Sequence, residues 1–321
     1  MRSSNLSARI LALHAGMVAL LFALNFVLPE YHHGVLARVM LLSVFAMGYN
    51  ILFGYAGLLS LGHAMFFAAG LYGAGLGVHH LGWSVPVGLV AGIACGALLS
   101  LAVGALALRT SGVAFMIVTM MFAQVAYLLT FYFAAWTGGD DGIVLAQATR
   151  SVAIGDFHLN LADPATRYLL ALALFSIVLF ATLIAVRSSF GRVLVAIREN
   201  EDRTRMLGYD TFANKLAGVV LSGTICAAAG AGYALLFGYV GSTFAGVQYS
   251  ILPLLWVLLG GAATTLGPFI GTLFMYYIID VTSSYTSAYL LVVGIALILL
   301  VLFFPKGLLG SIRERWAGWL P

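Results

Sequence analysis

Apolar residues along this chain come in long unbroken blocks, and short polar stretches separate the blocks. There is little of the alternation that marks half-buried strands. A helix needs about 20 mostly apolar residues to cross a bilayer core. Blocks of that length fall near 10–28, 36–53, 58–78, 85–108, 112–134, 168–186, 216–238 and 287–304. Residues 249–282 form another apolar stretch, broken by "GGAATTLGP" at 260–268. This stretch reads either as two short spans or as a re-entrant pair. The total is then ten spans, or eight plus a re-entrant hairpin. The pattern predicts an all-α polytopic membrane protein, a single transmembrane unit over 1–321.

Small residues predict where these helices touch. Gly88, Gly92, Gly96, Ser100 and Gly104 recur every four residues and make one narrow face along a span. In lipid, helices associate where small side chains let backbones approach. The pairs Gly73/Gly77, Gly218/Ser222 and Gly267/Gly271 offer further contacts of this kind. Pro268 after Gly267 fits a break in the 249–282 stretch.

Composition agrees with the pattern. The chain has 321 residues, 62% hydrophobic and only 8% charged, with mean hydropathy +1.05. A soluble domain carries about 25% charge. The pI of about 9.1 does not indicate nucleic acid. The basic residues lie between apolar runs, where they orient the chain in a membrane. Cys95 and Cys226 sit inside apolar runs, so neither a disulfide framework nor a metal spacing is formed. The first apolar run, 10–28, is too long for the core of a signal peptide and reads as a retained span.

Charge then sets the expected orientation. With the N-terminus inside, twelve Lys and Arg fall on the cytoplasmic side, and three (Arg38, Arg150 and Arg167) fall outside. The positive-inside rule therefore places both termini and residues 187–215 in the cytoplasm, and 135–167 outside. The expected location is a membrane, crossed many times.

Residues 187–215 hold ten of the chain's 26 charged residues. Topology calls for Lys and Arg only, yet four of these ten are acidic: Glu199, Glu201, Asp202 and Asp210. Phe190, Leu194 and Ile197 recur at helical spacing. Asn200 is placed to cap a second helix, with Glu201 and Asp202 in its first turn and Gly208 as its stop. Apolar anchors with a charged rim describe an interaction helix that docks on a soluble partner.

Several chemistries lack their residues. There is no G-x-x-x-x-G-K-[ST] loop, and no Lys follows a Gly, so nothing indicates that this chain hydrolyses ATP. No H-E-x-x-H occurs. His32–His33 and His79–His80 are the paired histidines weighed for a metal, and interfacial polarity is the simpler reading of them. No catalytic residue, metal or cofactor is expected. Asn50, His63 and Gln124, polar and deep in apolar runs, are candidates for lining a solute path.

Four segments in order now resemble one family. "GYAGLLSLGHAMFFAAGLYGAG" (54–75), "TGGDDGI" (137–143), "GRVLVAIRENEDRTRMLGYD" (191–210) and "LLWVLLGGAATTLGPFIGTL" (254–273) are similar to segments of LivM-type permeases of branched-chain amino acid ABC importers. The last departs from the family pattern, with Gly-Ala-Ala-Thr where the pattern has Gly-x-Gly-Thr. Arg203-Thr204 likewise stand where many relatives carry small residues.

The resemblance implies an importer built from this permease, a second LivH-type permease, two ATPase subunits that bind the ATP, and a soluble solute-binding protein. Arg198, Glu199, Asn200, Glu201, Arg205 and Gly208 would then couple to the ATPase. Gly138, Gly139, Asp140, Asp141 and Gly142 would receive the binding protein. The solute is expected to be a branched-chain or other hydrophobic amino acid. A related importer for urea or short amides, an ion-coupled secondary transporter and a membrane-embedded enzyme are the alternatives.

Overall fold

The computed structural model describes residues 2–154 and 157–288, with 291, 294–295, 297–298, 302–304 and 306–315. The chain runs α1 (Arg2–Val27), α2 (Glu30–Asn50), α3 (His63–Leu81), α4 (Val85–Ala107), α5 (Gly112–Tyr132), the short α6 (Ala134–Thr137) and α7 (Pro164–Arg187). It continues through α8 (Ser189–Glu199), α9 (Glu201–Met206), α10 (Thr211–Phe237), α11 (Val247–Gly260) and α12 (Gly267–Tyr285), then a short helix at Gly307–Arg315. Among the described residues, α1, α2, α4, α5, α7 and α10 are long and apolar enough to cross a membrane. The fold is that of a polytopic α-helical membrane protein. The span expected at 287–304 lies partly outside the described residues.

The hydrophobic centre is α2. From Val35 to Leu52 every residue is buried except Arg38. Around α2 pack α7, α10, α11 and α12, while α3 and α4 wrap the other side of α10. A π-helical turn, Ile51–Tyr55, continues α2 beyond Asn50.

The small-residue faces put α3, α4 and α10 in backbone contact. All five members of the Gly88–Gly104 face are buried. A Cβ on Gly70 of α3 would run into the Ala227 carbonyl of α10, and one on Gly230 of α10 would run into the Phe67 carbonyl. These surfaces therefore meet through peptide groups, the packing lipid favours. The Gly267/Gly271 pair does the same between α12 and α11, against the backbone of Gly260 and Trp256.

The broken stretch is a helical hairpin. α11 and α12 pack side by side, and the turn 261–266 joins them. Asn50 holds this turn: its Nδ2 donates to the Thr264 carbonyl at 2.9 Å, and its Oδ1 accepts from the Ala263 N–H at 3.0 Å. Ala263 has φ +56°, the only positive φ on a non-glycine residue among those described. His14 on α1 reaches the same turn, 2.7 Å from the Thr265 hydroxyl.

Capping fixes the ends of the long helices. Asp163, followed by Pro164, caps α7 by accepting from the Thr166 N–H at 2.9 Å. Two acceptor bonds from Thr166 hold its carboxyl below the usual range. Asp210 caps α10 through the Ala213 N–H at 2.9 Å. At the end opposite 187–215, β1 (Ile143–Val144) pairs antiparallel with β4 (Tyr239–Val240), and β2 (Ser151–Ile154) pairs with β3 (Phe157–Asn160). The 135–167 excursion is thus sewn to the end of α10.

Candidate functional site

Residues 187–215 fold as two short helices, each with its own cap. Ser188 accepts from the Gly191 N–H to start α8, whose Leu194 and Ile197 are buried and whose Phe190 is partly buried. The apolar spacing of this segment thus faces the bundle. Asn200 ends α8 and caps α9, its Oδ1 accepting from the Arg203 N–H at 2.9 Å. Gly208, with φ +88°, follows the last turn of α9 as the expected stop.

Two side chains, Glu201 and Arg198, tie this element to the spans. Glu201 Oε1 lies 2.6 Å from Lys215 Nζ on α10 and 3.4 Å from Arg205 Nη2. Partial burial pushes the Glu201 carboxyl up, but the Lys215 hydrogen bond and charge outweigh it and leave the group below its ordinary value. Arg198 at the end of α8 donates to the carbonyl of Gly54 in the π-turn, and its aliphatic stem covers Gly57. Arg198 also faces the hairpin turn across a cavity of about 590 Å³ that Ala263, Thr264 and Arg313 help to line. Arg313 closes the other wall, donating to the Ala263 carbonyl at 3.1 Å.

Glu199, Asp202 and Arg205 stand in solvent, with Arg205 3.8 Å from Asp202. Beside them Met206 and Leu207 are 85% and 76% exposed, and Tyr209 and Phe212 are also exposed. Sequence reasoning passed over this apolar tip. Its signal is two large apolar residues just before Gly208, beyond the helically spaced Phe190, Leu194 and Ile197 that face the bundle.

The glycine-rich turn lies at the opposite end. Gly138, Gly139 and Gly142 all have positive φ. The Gly142 N–H closes the turn on the Gly138 carbonyl at 3.2 Å. A Cβ on Gly138 would overlap the Gly142 backbone, so a side chain there is excluded twice, by conformation and by space. Asp140 and Asp141 at the turn's tip are exposed.

The remaining polar candidates are apart from each other in environment. Asn50 is buried and holds the hairpin turn. His63, also buried, is 2.9 Å from Ser222 Oγ, which donates to the Gly48 carbonyl at 2.6 Å, linking α3, α10 and α2. Gln124 lies on the exposed side of α5. Among the described residues no three His, Cys, Asp or Glu side chains gather in a way that holds a metal.

Six long apolar helices, the buried α2 among them, with a helical hairpin and a two-helix charged appendage, mark a multi-pass membrane protein. Residues 31–302 match the branched-chain amino acid transport system / permease component family, and the chain belongs to it. It is 27% identical over 298 residues to the high-affinity branched-chain amino acid transport system permease protein LivM of Salmonella typhimurium, covering 86% of this chain and 69% of that one. The Escherichia coli LivM protein is also 27% identical, over 300 residues with the same shares. A probable branched-chain amino acid transport permease protein LivM of Methanocaldococcus jannaschii is 29% identical over 140 residues, 39% of this chain and 40% of that one. No solved structure matches the chain.

Proposed function

We propose that this chain is one of two permeases in an ATP-driven importer for branched-chain or other hydrophobic amino acids, lying in a bacterial inner membrane with both termini cytoplasmic. The whole chain works as one transmembrane domain. The observation that carries the reading is α9, an isolated helical knob with an apolar tip, Met206–Leu207, and a charged rim. Such a knob suits a groove on a soluble ATPase subunit. Arg198, Glu199, Asn200, Glu201, Arg205 and Gly208 form the coupling element. Glu201 and Arg198 pass its motion to α10 and to the π-turn of α2.

The 135–167 segment, with Gly138, Gly139 and Gly142 shaping the turn that presents Asp140 and Asp141, receives the solute-binding protein. The open face of α5, which carries Gln124, is offered to the path or to the second permease. Asn50 and His63 brace the helices behind that path. The catalytic work of ATP hydrolysis belongs to the partner subunits, and alternating access results from their closure.

Reconstitution of the complete complex in vesicles, with labelled leucine and binding protein outside and ATP at the ATPases, tests this directly. Leucine uptake that requires ATP supports the reading. Uptake driven by a proton or sodium gradient without ATP would overturn it. The same assay with labelled urea or a short amide separates the nearest alternative.

A further inference from the structure

The end of the molecule opposite 187–215 has three cations in sequence: Arg38, Arg150 and Arg167. They come from α2, from the turn before β2 and from the start of α7, and the fold brings all three to the last turn of α10. The Arg38 and Arg167 guanidiniums stand over the single ring of Phe237, 4.9 and 5.2 Å from its centroid. Arg150 packs against Gly238, the next residue, and its Nη1 donates to the Leu236 carbonyl at 3.3 Å. Arg167 lies in the repulsive field of both Arg150 and Arg38.

Acids are near in sequence but are not used. Glu30, Asp140, Asp141, Asp163 and Asp280 share this end, yet among the described residues no carboxylate lies within 4.0 Å of any of the three guanidiniums. Asp163, the acid whose field Arg167 feels, is committed to Thr166, and Asp280 to Tyr31 at 3.0 Å. Nε of Arg150 and Nε of Arg167 are buried without a hydrogen-bond partner, and Arg150 as a whole is 7% exposed. Three like charges gathered together, with two of their buried donors unmatched, make a place that favours an anionic group.

The shape of the place selects among anions. Arg38 is the one exposed residue on the otherwise enclosed stretch Val35–Leu52. It sits seven residues inward from Tyr31, about 10 Å along the helix axis. Tyr233, Phe237 and Tyr276 supply an aromatic wall beside it, each partly exposed. A planar guanidinium fork matches a carboxylate edge to edge. The aromatic wall accepts an apolar side chain at the same time.

We propose that Arg38, Arg150 and Arg167 form a carboxylate-receiving site for the transported amino acid at the mouth opposite the 187–215 loop. This rests on the import reading above. The arginines draw the solute's carboxylate off the binding protein, and the Phe237 wall takes its side chain. Affinity is weak, because a mouth must also release its occupant.

The test uses the purified complex without binding protein, melted in the presence of millimolar leucine or of leucinamide, which keeps the ammonium and side chain but lacks the carboxylate. Leucine is expected to raise the melting temperature and leucinamide to leave it unchanged. Arg38→Gln and Arg167→Gln each remove the leucine shift. Each also lowers ATP-driven leucine uptake about tenfold, the scale of one lost charge-assisted hydrogen bond, with the ATPase still attached. Equal shifts from the two probes, or a leucine shift kept in both variants, would overturn the proposal. So would an Arg38-dependent shift from phosphatidylglycerol alone, which assigns the cluster to lipid phosphate, or loss of binding-protein co-purification in the variants, which assigns it to protein docking. If the wild-type complex fails to import leucine but is stabilised by it through Arg38, the site stands and the import reading falls.

Discussion

Lys215 at the base of α10 and Glu201 on α9 form an ion pair at 2.6 Å, with the Lys215 side chain only 10% exposed. Removing the acid leaves a largely buried ammonium without its carboxylate. Glu201→Gln is expected to cost about 1–3 kcal/mol, read as a lower melting temperature of the detergent-solubilised protein. The pH dependence has a definite sign. Because the folded Glu201 carboxyl titrates below its unfolded value, its stabilisation is complete above the unfolded pKa and is lost as pH falls through the folded one. The gap between wild type and Glu201→Gln should therefore close on acidification and stay constant above neutrality.

Charge reversal at the same position separates anchoring from assembly. Glu201→Lys is expected to insert in the membrane normally, to abolish uptake and to lower co-purification of the ATPase. Membrane abundance, transport and pull-down report the three independently, and wild-type uptake by this variant would refute the coupling role.

Asn50 satisfies a donor and an acceptor of the hairpin turn with one side chain. Asn50→Ala leaves the Thr264 carbonyl and the Ala263 N–H without their partner, at about 1–3 kcal/mol for each buried group left bare. Faster proteolysis within 261–266 is the accompanying sign, and a turn as resistant as in the wild type would count against this role.

Ala263 offers a test in the opposite direction. A left-handed alanine costs about 1–2 kcal/mol, while a glycine gives back about 0.4–1 kcal/mol through the freedom of the unfolded chain. Strain exceeds entropy here, so Ala263→Gly is expected to stabilise the protein by up to about 1 kcal/mol. Melting-curve comparison with the wild type decides it.

Gly230 tests the backbone contact between α3 and α10. Its Cβ position is already taken by the Phe67 carbonyl. Gly230→Ala is expected to lose about 1–3 kcal/mol, the usual cost of overpacking. Gly16→Ala, where nothing lies within 4 Å of the added methyl, is the control and is expected to lose nothing, gaining about 0.5–1 kcal/mol of helix preference instead.

Much of this architecture is legible in the residue pattern, because a bilayer imposes both length and polarity on each crossing. The Gly88–Gly104 face, the Asn200 cap and the Gly208 stop all follow from local rules and stand where those rules put them. The nature of the 249–282 break did not follow. Glycines at 260–261 announce a turn, but its fixation by Asn50, more than 200 residues away in sequence, is a tertiary fact. α3 falls in the block expected at 58–78 but runs from His63 to Leu81, and its packing between α4 and α10 is a tertiary fact. The gathering of Arg38, Arg150 and Arg167 was equally hidden. Charge counting places them on one side, and only the packing of α2 and α7 around Phe237 places them together.

α10 is gripped at both extremities: Glu201 holds Lys215 near its beginning, and the β1–β4 ladder, with the Leu145 N–H on the Gly238 carbonyl at 2.8 Å, holds its finish. Its 27 residues make a rod about 40 Å long. A rod clamped this way transmits thrust with little loss, so a nudge delivered to either membrane face must be felt at the other.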